Sequence, residues 1–139
     1  MNTQLKRPEL VCPAGTPAAL RVAVDAGADA VYCGFQNATN ARNFPGLNFT
    51  VEEMAQGAAY AHERGAKVLL ALNTFPPAGE TRLWKEAVRN AVRMGIDALI
   101  VADIGMAHFV AAKYPHQRLH LSVQREHHHP KLLVLLRGI

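Results

Sequence analysis

The sequence predicts an α/β protein, a partial TIM-like (β/α) barrel of about four and a half β–α units built on a parallel sheet. Three observations lead there. A joint reading helix end, glycine, strand start occurs three times: Asp25-Ala26-Gly27-Ala28-Asp29-Ala30-Val31, Glu63-Arg64-Gly65-Ala66-Lys67-Val68-Leu69 and Arg93-Met94-Gly95-Ile96-Asp97-Ala98-Leu99. The strands that follow are almost wholly apolar, as strands covered on both faces must be. Polar residues gather just past the strand ends, at Cys12, Gly34, Asn73, Asp103 and Gln124, where barrel enzymes carry their sites. An open doubly wound sheet also suits repeated β–α units, but no Gly-x-Gly-x-x-Gly follows the first strand.

The elements follow in order. Residues 1–8 form a polar lead-in with no apolar signal region, and residues 9–124 form the N-terminal half of a (β/α) barrel domain. Glu9 to Cys12 is a short strand broken by Pro13-Ala14-Gly15. Thr16 caps a helix whose first position is Pro17 and whose left-handed end is Gly27. Ala30 to Gly34 is the second strand, and the long polar loop to Asn48 comes next. Thr50-Val51-Glu52-Glu53 is a capping box opening a helix that stops at Gly65. Lys67 to Asn73 is the third strand and Thr74 to Gly79 a second loop. A helix from about Glu80 ends at Gly95, and Asp97 to Ala102 is the fourth strand. Asp103 caps the helix that runs to Tyr114-Pro115, and Arg118 to Val123 is the fifth strand.

Residues 125–139 differ in character. His127, His128 and His129 stand adjacent, and adjacent side chains of an extended chain point in alternate directions, so they make a poor metal site and none is expected. Codons for Arg-Glu-His-His-His, read one base later, can spell Ala-Ser-Thr-Thr-Thr, so a frameshift near Arg125 would account for the tail and for the missing half of a barrel. DNA sequencing across codon 125 tests this.

Composition narrows the function. Half of the 139 residues are hydrophobic, which gives a globular core. The net charge is +4, but the basic residues are scattered and form no nucleic-acid arm. No apolar run reaches membrane-spanning length, and the expected address is the cytoplasm, where a Cys12–Cys33 disulfide is not expected.

The candidate binding residues are Asn40, Arg42, Asn73 and Gln124; no catalytic residue is assigned. The guanidinium of Arg42 offers a planar fork for a carboxylate or phosphate; the alternative is pairing with a loop carbonyl or an aspartate. Asn40 would orient a ligand or brace a turn, and Asn43 reads as a turn former. Asn73 ends an apolar strand at the mouth, where its amide would hold a substrate or the neighbouring loop. Gln124 shares a strand face with Ser122 and His120. Residues two apart on a strand stand roughly 7 Å apart, too far for a nucleophile–base pair. His62, His108 and His116 read as surface residues, and Cys33 as a buried thiol.

Leu10-Val11-Cys12-Pro13-Ala14-Gly15, Gly27-Ala28-Asp29-Ala30-Val31-Tyr32-Cys33-Gly34, Asn40-Ala41-Arg42-Asn43-Phe44, Asn73-Thr74 and Leu121-Ser122-Val123-Gln124 resemble the collagenase-like peptidase family, whose catalytic mechanism is unassigned. Thr39-Asn40-Ala41-Arg42, Gly46-Leu47-Asn48-Phe49-Thr50, Ala71-Leu72-Asn73-Thr74-Phe75 and Asp97-Ala98-Leu99-Ile100-Val101-Ala102-Asp103 narrow the resemblance to its ubiquinone-biosynthesis branch. The resemblance implies a TIM-like barrel, oxygen-independent hydroxylation of a quinone precursor, and a heterodimer with a UbiV-like partner. It also implies a [4Fe–4S] cluster held by four cysteines in the second half of the family's sequence. Cys12 and Cys33 do not match those positions, and no cluster is expected on this chain. The wider family name implies peptidase activity instead, for which neither His-Glu-x-x-His nor a nucleophile elbow is present. A further alternative is a non-catalytic half barrel that works in an assembly.

Overall fold

The computed structural model describes residues 6–122. The elements alternate as β1 (Val11–Pro13), α1 (Pro17–Asp25), β2 (Ala30–Gly34), α2 (Val51–Glu63), β3 (Lys67–Leu72), α3 (Arg82–Arg93), β4 (Ala98–Val101), α4 (Ile104–Lys113) and β5 (Arg118–Leu121). The strands form one parallel sheet in the order β1-β2-β3-β4-β5. Sequential order decides between the two architectures. A doubly wound sheet reverses its strand order at a switch point, whereas each strand here adds on the same side as the last, as in a barrel.

The first strand lies two residues later than its apolar pattern suggests, at Val11–Pro13 rather than 9–12. Its register is set by β2, with Val11 opposite Ala30 and Pro13 opposite Tyr32. The second strand has the expected bounds, Ala30–Gly34; the third, fourth and fifth differ by a residue or two at their ends, and positions 123 and 124 lie outside the described residues.

Helix starts follow the expected capping chemistry. Thr16 Oγ1 accepts from Ala19 N at 3.1 Å and Asp103 Oδ2 from Met106 N at 2.9 Å. Thr50 and Glu53 form the reciprocal box, each side chain accepting from the other's backbone N–H at 3.1 Å. The joint glycines Gly27, Gly65 and Gly95 all have positive φ, the left-handed conformation that ends a helix and turns the chain into the next strand.

One face of the sheet packs on the helices. Val31, Cys33, Val68, Leu70, Leu72, Leu99 and Val101 meet Leu20, Met54, Ala58, Trp84, Val88 and Val110 in one core. Tyr32, Leu69 and Ile100 alternate to the opposite face and are half-buried.

The joints also hold the sheet at its N-terminal edge. Asp29 N donates to Leu10 O at 2.9 Å while Asp29 Oδ2 accepts from Leu10 N at 2.7 Å. Asp97 repeats the pair with Val68, at 3.0 and 2.7 Å. Each carboxylate thus pairs a backbone N–H at the start of the preceding strand, and each gains a cation or ring partner: Arg7 for Asp29, and His62 Nε2 at 2.7 Å for Asp97. His62, read from sequence as a surface residue, is exposed but tied to this joint. Asp97→Ala should lower unfolding stability by about 1–3 kcal/mol, because it strands Val68 N. Asp97→Asn, which keeps one accepting oxygen, should lose less. Urea denaturation of the two variants checks the order.

Candidate functional site

The loop after β2 leaves and rejoins the sheet at one point. Phe35 and Phe49 form an isolated parallel bridge, with Gln36 N donating to Phe49 O at 2.9 Å and Phe49 N to Gly34 O at 3.2 Å. Both rings are fully buried, so residues 36–48 form a closed loop standing on an apolar neck.

Inside that loop the polar side chains turn inward to the backbone. Asn37 Oδ1 accepts from Thr39 N at 3.0 Å and from Thr39 Oγ1 at 2.6 Å. Asn40, 7% exposed, donates from Nδ2 to Phe35 O at 3.3 Å and accepts from Arg42 N at 3.0 Å. Its carboxamide lies against Gly34, where a Cβ would sit 2.7 Å from Asn40 Cγ, so only glycine fits beneath it. Asn73 Oδ1 accepts from Ala41 N at 2.8 Å. Thr74 Oγ1 donates to Ala38 O at 2.6 Å and accepts from Trp84 Nε1 at 3.1 Å. The loop after β3 therefore braces the loop after β2.

Asn48 completes the brace on the other side. Its N donates to Gly15 O at 2.6 Å, and its Nδ2 donates to Arg42 O at 2.7 Å. Its φ is 74°, the one positive φ outside glycine among the described residues. Asparagine tolerates this region better than most side chains because it bonds locally to the backbone. The sequence reading passed over Asn48; its place two residues after Gly46, at the end of a polar loop, was the available signal.

These elements enclose a cavity of about 280 Å³ at the C-terminal ends of β1, β2 and β3, lined by Tyr32, Asn40, Arg42, Phe44, Leu47 and Asn48 among others. The expected residues divide by what they touch. Arg42 is exposed at the cavity, and its guanidinium has no hydrogen-bond or ion-pair partner among the described residues. Asn40 also lines the cavity, but its amide is engaged in the loop. Asn73 anchors Ala41 through its oxygen and does not line the cavity. Gln124 lies outside the described residues. Tyr32, which the sequence reading did not single out, lines the cavity, and its hydroxyl has no hydrogen-bond partner among the described residues.

Cys33 is not part of this chemistry. Its side chain faces α2, with Sγ 3.4 Å from Met54 Sδ and 3.7 Å from Leu69 O. Burial pushes its thiol up to about 12, so it stays protonated at neutral pH. Cluster and metal ligands are thiolates, so Cys33 with Cys12 does not fit an iron–sulfur cluster, which takes four. Among the described residues, no group of three or more His, Cys, Asp or Glu side chains could hold a metal ion.

Iodoacetamide at pH 8 should label Cys12 in the folded protein and Cys33 only after denaturant is added, read by mass spectrometry. Because Cys33 titrates near 9.0 when unfolded and about 12 when folded, its contribution to stability is intact below pH 9 and is lost as pH rises towards 12. Asn48→Gly should cost about 1 kcal/mol, one hydrogen bond, and Asn48→Ala should cost more, because alanine also pays for the positive φ. Hydrogen exchange at loop amides distinguishes the two.

The comparisons with known proteins converge on one family. The peptidase family U32 pattern matches residues 15–137. The tRNA hydroxylation protein P of Helicobacter pylori is 36% identical over 116 residues, covering 84% of this chain and 27% of that protein. A collagenase of Porphyromonas gingivalis is 31% identical over 116 residues, covering 84% and 27%. The chain thus spans about a quarter of the length of these curated relatives. The solved U32 peptidase Mk0906 superposes with a TM-score of 0.66 at 17% identity, over 88% of this chain and 51% of that one, which establishes the shared fold. With a sequential parallel sheet, a braced loop at its mouth and a pattern match over most of its length, the chain belongs to peptidase family U32.

Proposed function

We propose that the chain is the N-terminal barrel segment of a UbiU-like protein, which with a UbiV-like partner supports hydroxylation of the quinone ring in oxygen-independent ubiquinone biosynthesis. The observation that carries this reading is where its diagnostic stretches lie. Three of its four diagnostic stretches, residues 39–42, 46–50 and 71–75, are separate in sequence yet brace the loop and wall the cavity; the fourth, 97–103, lies away from it. Arg42 supplies a fixed positive charge for an anionic or strongly polar substrate group. The hydroxylation named for the Helicobacter relative is in keeping with the same reaction type. In this reading the [4Fe–4S] cluster belongs to cysteines of the full-length protein outside this chain. The reading includes a cytoplasmic address and no nucleic-acid partner; no described helix is long and apolar enough to cross a membrane.

A peptidase reading rests on the collagenase relative. Among the described residues, no hydrogen bond joins Ser122 to His120, the one Ser–His pairing that the sequence suggests.

Deletion of the full-length gene and anaerobic growth test the proposal. Mass spectrometry should show ubiquinone lost and hydroxylated tRNA nucleosides unchanged. Re-expression of the full-length protein with Arg42→Ala should restore about a tenth or less of the ubiquinone, given the strength of charge-assisted hydrogen bonds. Unchanged ubiquinone with loss of a hydroxylated nucleoside would overturn the reading.

A further inference from the structure

The outer helices α2 and α3 carry matched stripes of opposite charge. On α2 the stripe is Glu52, Gln56, Ala59 and Glu63; one β–α unit later, at the same spacing, it is Arg82, Glu86, Arg89 and Arg93 on α3. Steps of i, i+4, i+7 and i+11 keep each set on one side of its helix. That side is opposite the one buried in the core, where α2 places Met54, Ala58 and Ala61 and α3 places Trp84, Val88 and Ala91. The α2 stripe is acidic at both ends, and the α3 stripe is basic at both ends. The fold makes little use of these charges. Glu52, Arg89 and Arg93 have no hydrogen-bond or ion-pair partner among the described residues. Arg82 meets Glu86 at 3.1 Å and Glu63 meets Arg64 at 3.5 Å, but the Arg82 and Glu63 side chains are 91% and 74% exposed, so both pairs are weak.

We propose that this face binds a second copy of the chain, about a twofold axis that passes between α2 and α3. Crossovers in a sequential parallel sheet run the two helices side by side in the same direction. A twofold axis perpendicular to them reverses the second copy, so α2 of each copy lies antiparallel on α3 of the other. Arg82 of one copy then meets Glu63 of the other, and Arg93 meets Glu52. Arg89 meets Gln56, and Glu86 meets Ala59. The ends match because both stripes span the same length, about 16 Å of helix. The symmetry makes each pair twice. The antiparallel order also sets the negative C-terminal end of one helix against the positive start of the other. A nucleic acid or an acidic protein surface fits less well. Either would be drawn to Arg82, Arg89 and Arg93 but repelled by Glu52 and Glu63 beside them, whereas a second copy satisfies both stripes. Two short helices make a small face, so the dimer is weak and sensitive to salt. The face lies on the outside of the sheet layer, apart from the cavity, and the proposal does not rest on the quinone reading.

Sedimentation-velocity ultracentrifugation of the purified chain, from about 10 μM to about 1 mM, tests the dimer. It should form at about 0.01 M salt and be largely lost at about 1 M, where the screening length falls from ~30 to ~3 Å. Glu63→Lys and Arg82→Glu should each weaken it at least about tenfold, or ~1.4 kcal/mol, because each turns two attractive contacts into repulsive ones. Both substitutions agree with the helix dipole, a cation at the end of α2 and an anion at the start of α3, so both variants should keep the fold, which circular dichroism checks. An equimolar mixture of the two variants should dimerise about as well as the original chain, because every contact between unlike copies is again of opposite charge. Lys113→Glu, the same charge change on α4, should leave the dimer as it was. Arg93→Gln should weaken it in the same direction as Arg82→Glu, which covers a charge-reversed variant that fails to fold. A chain that stays monomeric at low salt would overturn the proposal. So would association that survives high salt and both charge reversals, which belongs to the strand edges or the open sheet face. A mixture of folded variants that stays monomeric overturns the pairing of α2 with α3.

Discussion

The closure of residues 36–48 by Phe35 and Phe49 is the constraint on which the mouth of this protein depends. Bringing the ends of such a loop together costs about 2 kcal/mol of chain entropy, and burying one phenylalanine side chain returns about 1.5–3 kcal/mol. Two buried rings therefore suffice to close the neck, and the backbone pairing between them sets its register. Once the neck is closed, Asn37, Asn40 and Asn48 lie within reach of loop backbone and satisfy it. With the backbone satisfied from within, the guanidinium of Arg42 stays uncommitted.

The opposite edge of the sheet is held by a different device used twice. Asp29 and Asp97 occupy the same place in two of the three joints, and each exchanges a pair of hydrogen bonds with the preceding strand. In the third joint Lys67 stands at that place and donates its backbone N–H to Asp29 O. The sheet thus has a stabilising edge built from repeated joints and a mouth built from unrepeated loops, the division of labour known for barrels. The difference is also one of substitution tolerance. Gly34 beneath Asn40 admits no side chain, whereas a Cβ at any of the joint glycines meets no atom nearer than 3.9 Å, and only their φ constrains them.

The fold was legible because its signals are local. Capping by Thr16, Thr50 and Asp103 and the left-handed glycines act within a few residues of themselves, so they read directly from the chain. β1 was the exception: its register belongs to β2, and a three-residue strand carries too little pattern of its own. The site was less legible. Arg42 was singled out from loop composition and does line the cavity. Asn40 was singled out for the same reason and Asn73 for its place at the end of an apolar strand, yet their oxygens are engaged by Arg42 N and Ala41 N. Composition cannot separate an amide that holds a ligand from one that holds a loop, because both need a polar side chain at the same place.

From the sequence alone came the class of fold, the alternation of strands and helices, and the loop that carries the arginine, since each rests on periodicity, capping or turn chemistry along the chain. Only the tertiary structure decided that the strands follow one another in sequential order, because a helical crossover fits either architecture until the neighbours are known. It also decided that Tyr32 and Asn48 belong to the site. Tyr32 turns to the open face while Cys33, its neighbour, turns to the helices, and that choice is made by the packing of α2 against β2 and β3. Asn48 matters through Gly15 and Arg42, residues brought to it only when the loops after β1 and β2 meet.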